Sequence, residues 1–95
     1  MTRQALTLIQ VLTAHANEWT YGYDLSRESG LKSGTLYPML IRFAKRGWLE
    51  SEWRQEEGEK PRHMYRLTAH GRQAARLALA EANRLGQLSS VLSER

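Results

Sequence analysis

Between Thr20 and Gly47 two short helical patterns are separated by only a few residues, and this spacing restricts the fold more than any other feature of the chain. Thr20 suits the N-cap of a helix over 21–29, and Gly30 stands where a helix C-terminus favours a residue tolerant of positive φ. Gly30, Leu31 and Lys32 leave little room before Ser33, which is placed to cap the next helix across 34–47. Helix, short glycine-containing turn, helix is the spacing of a helix-turn-helix.

The second of these helices has two distinct sides. At about 100° per residue, Leu36, Leu40, Phe43 and Gly47 share one face and are expected to be buried. Thr35, Pro38, Arg42, Lys45 and Arg46 fall across the other. Pro38 is near the helix start, where its missing N–H does least harm. A basic outer face on the second helix of a helix-turn-helix is where groove and phosphate contacts are made.

The flanks complete a recognisable order. Residues 2–16 carry Ala5, Leu8, Ile9 and Leu12 at helical spacing, and Leu6 with Val11 widen the stripe enough for contacts inside and outside the subunit. After Gly47, Trp48 to Arg54 alternates like a half-buried strand, with Leu49 and Trp53 inward. The polar segment 55–62 reads as a hairpin tip, and His63 to Leu67 returns with Tyr65 and Leu67 inward. Thr68 caps a last helix over about 69–92, with a bend or fraying expected near Gly86, and its Ala74, Leu77, Ala78, Ala82, Leu85, Leu88 and Leu92 exceed what a small core can cover. The expected fold is mainly α with a small β-hairpin. It comprises a winged helix-turn-helix over 1–67 and a C-terminal dimerisation helix over 68–95, with Leu8, Leu12, Leu77, Leu85, Leu88 and Leu92 at the dimer interface.

Charge narrows the class of partner. The chain has 95 residues and a formal net charge of +4. Residues 1–31 hold two bases against three acids, whereas residues 32–66 hold eight against five. The positive excess thus begins at the basic helix and favours a polyanion. With no cysteine, disulfides and cysteine zinc sites are excluded. His15, His63 and His70 lie on separate elements without metal-ligand spacing, so no cofactor or metal is expected. The serines and acids form no nucleophile–base pattern, and there is no glycine-rich phosphate loop, which argues against an enzyme. No signal peptide and no membrane-spanning run is visible, so a cytoplasmic protein with no membrane partner is expected.

The ordered set Gly34-Thr35-Leu36-Tyr37-Pro38, Gly47-Trp48-Leu49, a charged wing and Tyr65-Arg66-Leu67-Thr68-x-x-Gly71 resembles the PadR family of winged-helix regulators. Tyr21-Gly22-Tyr23-Asp24-Leu25 with Ser29-Gly30-Leu31 is similar to that family's second helix and turn, so the resemblance runs from Tyr21 to about Ala75. It implies a homodimer joined mainly through the C-terminal helix, with help from the first, acting as a repressor of transcription at palindromic operators on double-stranded DNA. It also implies that in some members a phenolic acid or other small-molecule effector near the dimer interface releases the DNA. The single short C-terminal helix resembles the family's compact subgroup. Ala44, where many relatives carry an acid, and His63-Met64, which replaces a common aromatic, depart from the pattern. Carried over by position, Lys32, Ser33, Thr35, Tyr37 and Arg42 form the recognition surface. Arg42 is the candidate for a guanine edge, and Lys45, Arg46, Lys60 and Arg62 for phosphates.

Several residues admit a plainer reading. Glu56, Glu57 and Glu59 share the wing with Lys60 and Arg62 and repel phosphate unless they point away. Trp19, Trp48 and Trp53 line an aromatic pocket or simply pack. Tyr21 and Tyr23 touch phosphate, or Tyr23 is buried. A winged helix can equally be a protein–protein interaction module without specific DNA binding.

Overall fold

The computed structural model describes residues 1–86 and orders them as α1 (Arg3–Ala14), β1 (Thr20–Tyr21), α2 (Gly22–Ser29), α3 (Ser33–Lys45), β2 (Leu49–Arg54), β3 (Arg62–Leu67) and α4 (Ala69–Arg84). This is a winged helix-turn-helix. The core lies where α1, α3 and the near end of the β2–β3 hairpin meet, and it draws on Leu25, Leu36, Leu40, Leu49, Tyr65 and Leu67.

Helix α1 starts at Thr2, whose hydroxyl accepts from the Ala5 amide at 3.1 Å. It packs against both α2 and α4, which uses up its wide apolar stripe inside the subunit. Leu8 and Leu12 are both buried there. They are therefore core residues of the subunit and do not present the intermolecular surface expected of them.

Thr20 is not a helix cap. It pairs with Tyr65, and Tyr21 with Met64, as a two-residue antiparallel strand, so the sheet has three strands in the order β1-β3-β2. The unpaired edge that β3 would otherwise show is covered, satisfying backbone groups there. Tyr21 stands at the N-cap of α2 without a side-chain cap bond. Gly30 closes α2 at φ 75°, as expected of a left-handed C-terminal residue.

Ser33 is the first residue of α3, and Lys32 holds the N-cap position. Leu36, Met39, Leu40 and Phe43 are its buried side. Gly47 is exposed, past the end of the helix, and not on the buried face. At φ 78° it lets the Trp48 amide reach back to the Phe43 carbonyl at 2.9 Å and its own amide reach Ala44 at 3.0 Å. This is a Schellman motif, and the Phe43 and Trp48 rings supply its apolar contact at 5.2 Å.

Strands β2 and β3 pair from Leu49↔Leu67 out to Arg54↔Arg62. Leu49, Tyr65 and Leu67 are buried, but Trp53 is 68% exposed and not inward as its alternation predicts. The hairpin runs beyond the core, so its distal positions have nothing to pack against. Trp53 stacks instead on its cross-strand partner His63, with ring centroids 4.4 Å apart and planes at 19°. Near β1, Trp19 receives the guanidinium groups of Arg66 at 4.3 Å and Arg54 at 5.2 Å.

Helix α4 is anchored by Thr68. Its amide donates to the Trp48 carbonyl at 2.9 Å, its hydroxyl donates to Gly47 O at 2.6 Å, and its Oγ accepts from the Gly71 amide at 2.9 Å. Gly71 lies directly on the Trp48 backbone. The helix stops at Arg84, with Leu85 as C-cap and Gly86 at φ 80°, the break expected near that glycine. Ala75 and Ala82 face inward, whereas Leu77 and Leu85 are 66% and 56% exposed. Leu88 and Leu92 lie outside the described residues.

Candidate nucleic-acid interface

The exposed side of α3 carries every residue assigned to it from sequence. Ser33, Thr35, Tyr37, Arg42 and Lys45 all face solvent, as do Lys32 and Arg46 at its two ends. They do not form one uniform strip. Thr35, Pro38 and Arg42 border a shallow depression with Thr2 and Gln4 of the α1 end. Tyr37 lies on the opposite flank, over Gly22 at the start of α2, where a Cβ would approach its hydroxyl to 2.5 Å. Gly22 is thus small because the Tyr37 ring occupies the space of a side chain.

Between the flanks is Ile41, 56% exposed, which the sequence reasoning did not single out. Its wheel position, about 140° from Leu36 at helical pitch, carries the signal that would have found it. An apolar side chain at the centre of such a face suits a thymine methyl group.

The ion pairs sort the cations. Arg54 Nε donates to Glu52 at 2.6 Å, Arg66 Nε to Glu50 at 2.6 Å, and Arg27 to Asp24 at 3.2 Å. Among the described residues, Lys32, Arg42, Lys45, Arg46 and Lys60 have no such partner; Arg46 instead lies over the Trp48 ring at 5.1 Å. Cations without an acid partner are therefore concentrated on α3, where they give a polyanion the most, whereas Lys60 shares the wing tip with the exposed Glu56, Glu57 and Glu59. In the wing, Glu59 N–H donates to the Glu56 carbonyl at 2.9 Å around Gly58 at φ 78°. Glu59 stays 4.0 Å from Arg62, and Glu56 and Glu57 are exposed beside it.

Wing and helices are joined by aromatic residues. An open cleft of about 730 Å³ separates the distal hairpin from α2 and α3, lined by Tyr21, Tyr23, Tyr37, Trp53, Arg62 and His63 among others. Arg62 lies 4.8 Å over the Tyr21 ring. Its pKa is raised above the usual value, first by hydrogen bonding to the Tyr21 hydroxyl and further by Tyr21 and Glu59 charge. Tyr65 Oη lies 2.9 Å from His63 Nδ1. Burial raises the Tyr65 hydroxyl pKa, and the neighbouring Tyr37 adds to the shift, so the hydroxyl keeps its proton and can donate to His63.

The three histidines are dispersed: His15 contacts Glu28 at 3.0 Å, His63 is in the wing stack, and the His70 ring lies 3.8 Å from where a Cβ on Gly47 would stand. Among the described residues no group of three His, Cys, Asp or Glu side chains is placed to hold a metal ion. No helix among them is long and apolar enough to cross a membrane.

Known proteins share this arrangement. The structure of a PadR family transcriptional regulator from Eggerthella lenta is similar over 97% of this chain and 85% of that one, with 33% identity and a TM-score of 0.74. The PcaV transcriptional regulator from Streptomyces coelicolor, solved with its natural ligand, has the same fold at 22% identity and a TM-score of 0.76, over 93% of this chain and 60% of that one. Bacillus subtilis PadR, solved with operator DNA, matches 79% of this chain and 45% of its own, with 19% identity and a TM-score of 0.66. No curated protein matches by sequence. The sequence profile of the transcriptional regulator PadR-like family matches residues 8–77. With its wing, its helix-turn-helix and that match over most of its length, the chain belongs to the PadR-like family of transcriptional regulators.

Proposed function

We propose that the chain is a sequence-specific, homodimeric repressor that binds double-stranded DNA at an inverted-repeat operator. Two copies of α3 enter successive major grooves about one helical turn apart, with the wings beside the minor grooves. The observation that carries this reading is the concentration of unpaired cations on the exposed side of α3 and at Lys60. In this reading residues 1–67 form the DNA-binding head. Residues 68–95 form the dimerisation segment, supported by the outward, apolar Leu77 and Leu85 of α4. Lys32, Ser33, Thr35, Tyr37 and Arg42 meet the groove, with Ile41 beside them. Lys45, Arg46, Lys60 and Arg62 hold phosphates. A small aromatic effector shifts the equilibrium by binding the DNA-free form more tightly.

The test is duplex selection from a random pool followed by salt titration of two variants. Arg42→Ala relaxes preference at one operator position, with a loss of about 1–3 kcal/mol on the preferred base. Lys60→Ala weakens all duplexes alike and lowers the salt slope by about one. A pool that yields no enriched sequence refutes the operator reading, and identical effects of the two variants refute the division of labour.

A further inference from the structure

We propose that α3 reads the 5-methyl group of a pyrimidine through Ile41, so that operator affinity answers both to thymine and to cytosine-5 methylation at one step of each half-site. The inference rests on the DNA-binding reading above and adds what this helix recognises there. Ile41 is 56% exposed, while Leu36, Met39, Leu40 and Phe43 of the same helix are buried. At about 100° per residue, Gly34 lies about 20° from Ile41 around the helix and Pro38 about 60°, and both are exposed. Neither carries a side-chain donor or acceptor. A Cβ on Gly34 would meet nothing within 4 Å, so the backbone there is open to close approach. Tyr37 and Arg42, which do carry hydrogen-bonding groups, stand on opposite flanks. Over about two turns, from Gly34 to Ile41, the outward ridge of α3 is therefore apolar.

Every base pair presents hydrogen-bonding groups in the major groove, and the apolar feature among them is the methyl on C5 of thymine. An apolar ridge pressed on cytosine displaces groove water without replacing its bonds, which leaves donors and acceptors unpaired. Pressed on a 5-methyl group, it buries apolar area on both partners. 5-Methylcytosine carries the same methyl at the same place, so this contact treats it as it treats thymine. A lone exposed isoleucine needs no partner in itself. What assigns this one to a duplex is its setting among cations. Arg42 is adjacent in sequence, Lys45 follows one turn on along the same side, and neither has an acid partner among the described residues. A protein seated on Ile41 would have to bring acids to match them, whereas duplex DNA supplies phosphates.

Uracil scanning of a duplex selected by the full wild-type chain tests this, because exchanging thymine for uracil removes the methyl and nothing else. At one thymine in each half-site the exchange should weaken wild-type binding about fourfold, the share of one buried methyl. Ile41→Ala should bind the thymine and uracil duplexes alike, Ile41→Val should keep part of the preference, and Arg42→Ala should keep all of it. Cytosine placed at that step should regain about fourfold on 5-methylation with the wild type and nothing with Ile41→Ala. Because the side chain is exposed, these Ile41 variants should melt as the parent does. A selected duplex in which every uracil exchange is neutral overturns the proposal, as does a uracil penalty that survives in Ile41→Ala. Should Ile41→Ala bind too weakly to compare, an undiminished penalty in Ile41→Val overturns it. A pool with no enriched sequence refutes the DNA reading and this inference with it, whereas an enriched duplex indifferent to uracil refutes this inference alone.

Discussion

Replacing Gly71 by alanine should be among the most damaging single-methyl changes this chain can suffer. A Cβ at that position overlaps the Trp48 carbonyl oxygen and comes within 2.7 Å of the Trp48 carbonyl carbon and 2.9 Å of its Cα. All three are backbone atoms, so no rotamer change relieves them. The start of α4 must retreat on the order of an ångström. That retreat pulls at the Thr68 bonds to Trp48 and Gly47, at 2.9 and 2.6 Å. Overpacking costs about 1–3 kcal/mol, and each weakened bond adds up to about 1 kcal/mol. The better helix propensity of alanine returns about 1 kcal/mol. The net is a loss of about 2–3 kcal/mol, and at about 4–8 °C per kcal/mol for a domain of this size the melting temperature falls roughly 10–20 °C. Thermal and urea unfolding by circular dichroism, at matched chain concentration because the proposed dimerisation would shift the midpoint, measure it. Gly34→Ala is the control, since a Cβ there meets nothing within 4 Å, and it should gain up to about 1 kcal/mol. If Gly71→Ala melts at or above the parent, the close approach of α4 to Trp48 is wrong.

Gly22→Ala meets the outer end of the half-exposed Tyr37 ring, which can swing outward, so its unfolding free energy should change by less than about 0.5 kcal/mol while duplex affinity drops several-fold. Full affinity would show that the position of Tyr37 is irrelevant to DNA. Leu77→Glu puts a charge on the exposed apolar side of α4 and should give monomers in sedimentation; an unchanged mass would relocate the interface. The raised Tyr65 pKa means the folded chain holds that proton more tightly than the unfolded one. Its stabilising contribution is complete below the ordinary tyrosine value near 10 and disappears as pH climbs from there through the folded value. Tyr65→Phe should flatten the alkaline fall in urea midpoint, and an equally steep fall would assign it to other groups.

The helices were legible because burial imposes a period on them: Leu36, Leu40 and Phe43 mark the inner side of α3 in the sequence as clearly as in the structure. Met39 was not counted with them, although the same wheel includes it. Strand β1 was illegible for a physical reason, since Thr20 and Tyr21 are too few to show alternation and Thr20 is also a good cap residue. Trp53 misled because alternation says which side of a strand a residue is on, not whether the core extends beneath it. Leu8 and Leu12 misled in the opposite sense, because a wide stripe on α1 is filled by α2 and α4 of the same subunit. The cationic surface was readable residue by residue. The cleft was not, since Tyr21, Tyr37 and Trp53 meet only through the fold.

The pairing of β1 with β3 has a mechanical consequence. A plain two-stranded wing is hinged at its root and can flap while the helices stay still. This one is stitched along its inner strand to the segment that launches α2, so tilting it drags the whole head along. In the proposed dimer, any stretch or squeeze of the distance between two heads on a duplex is then absorbed where one copy of the chain leans on the other.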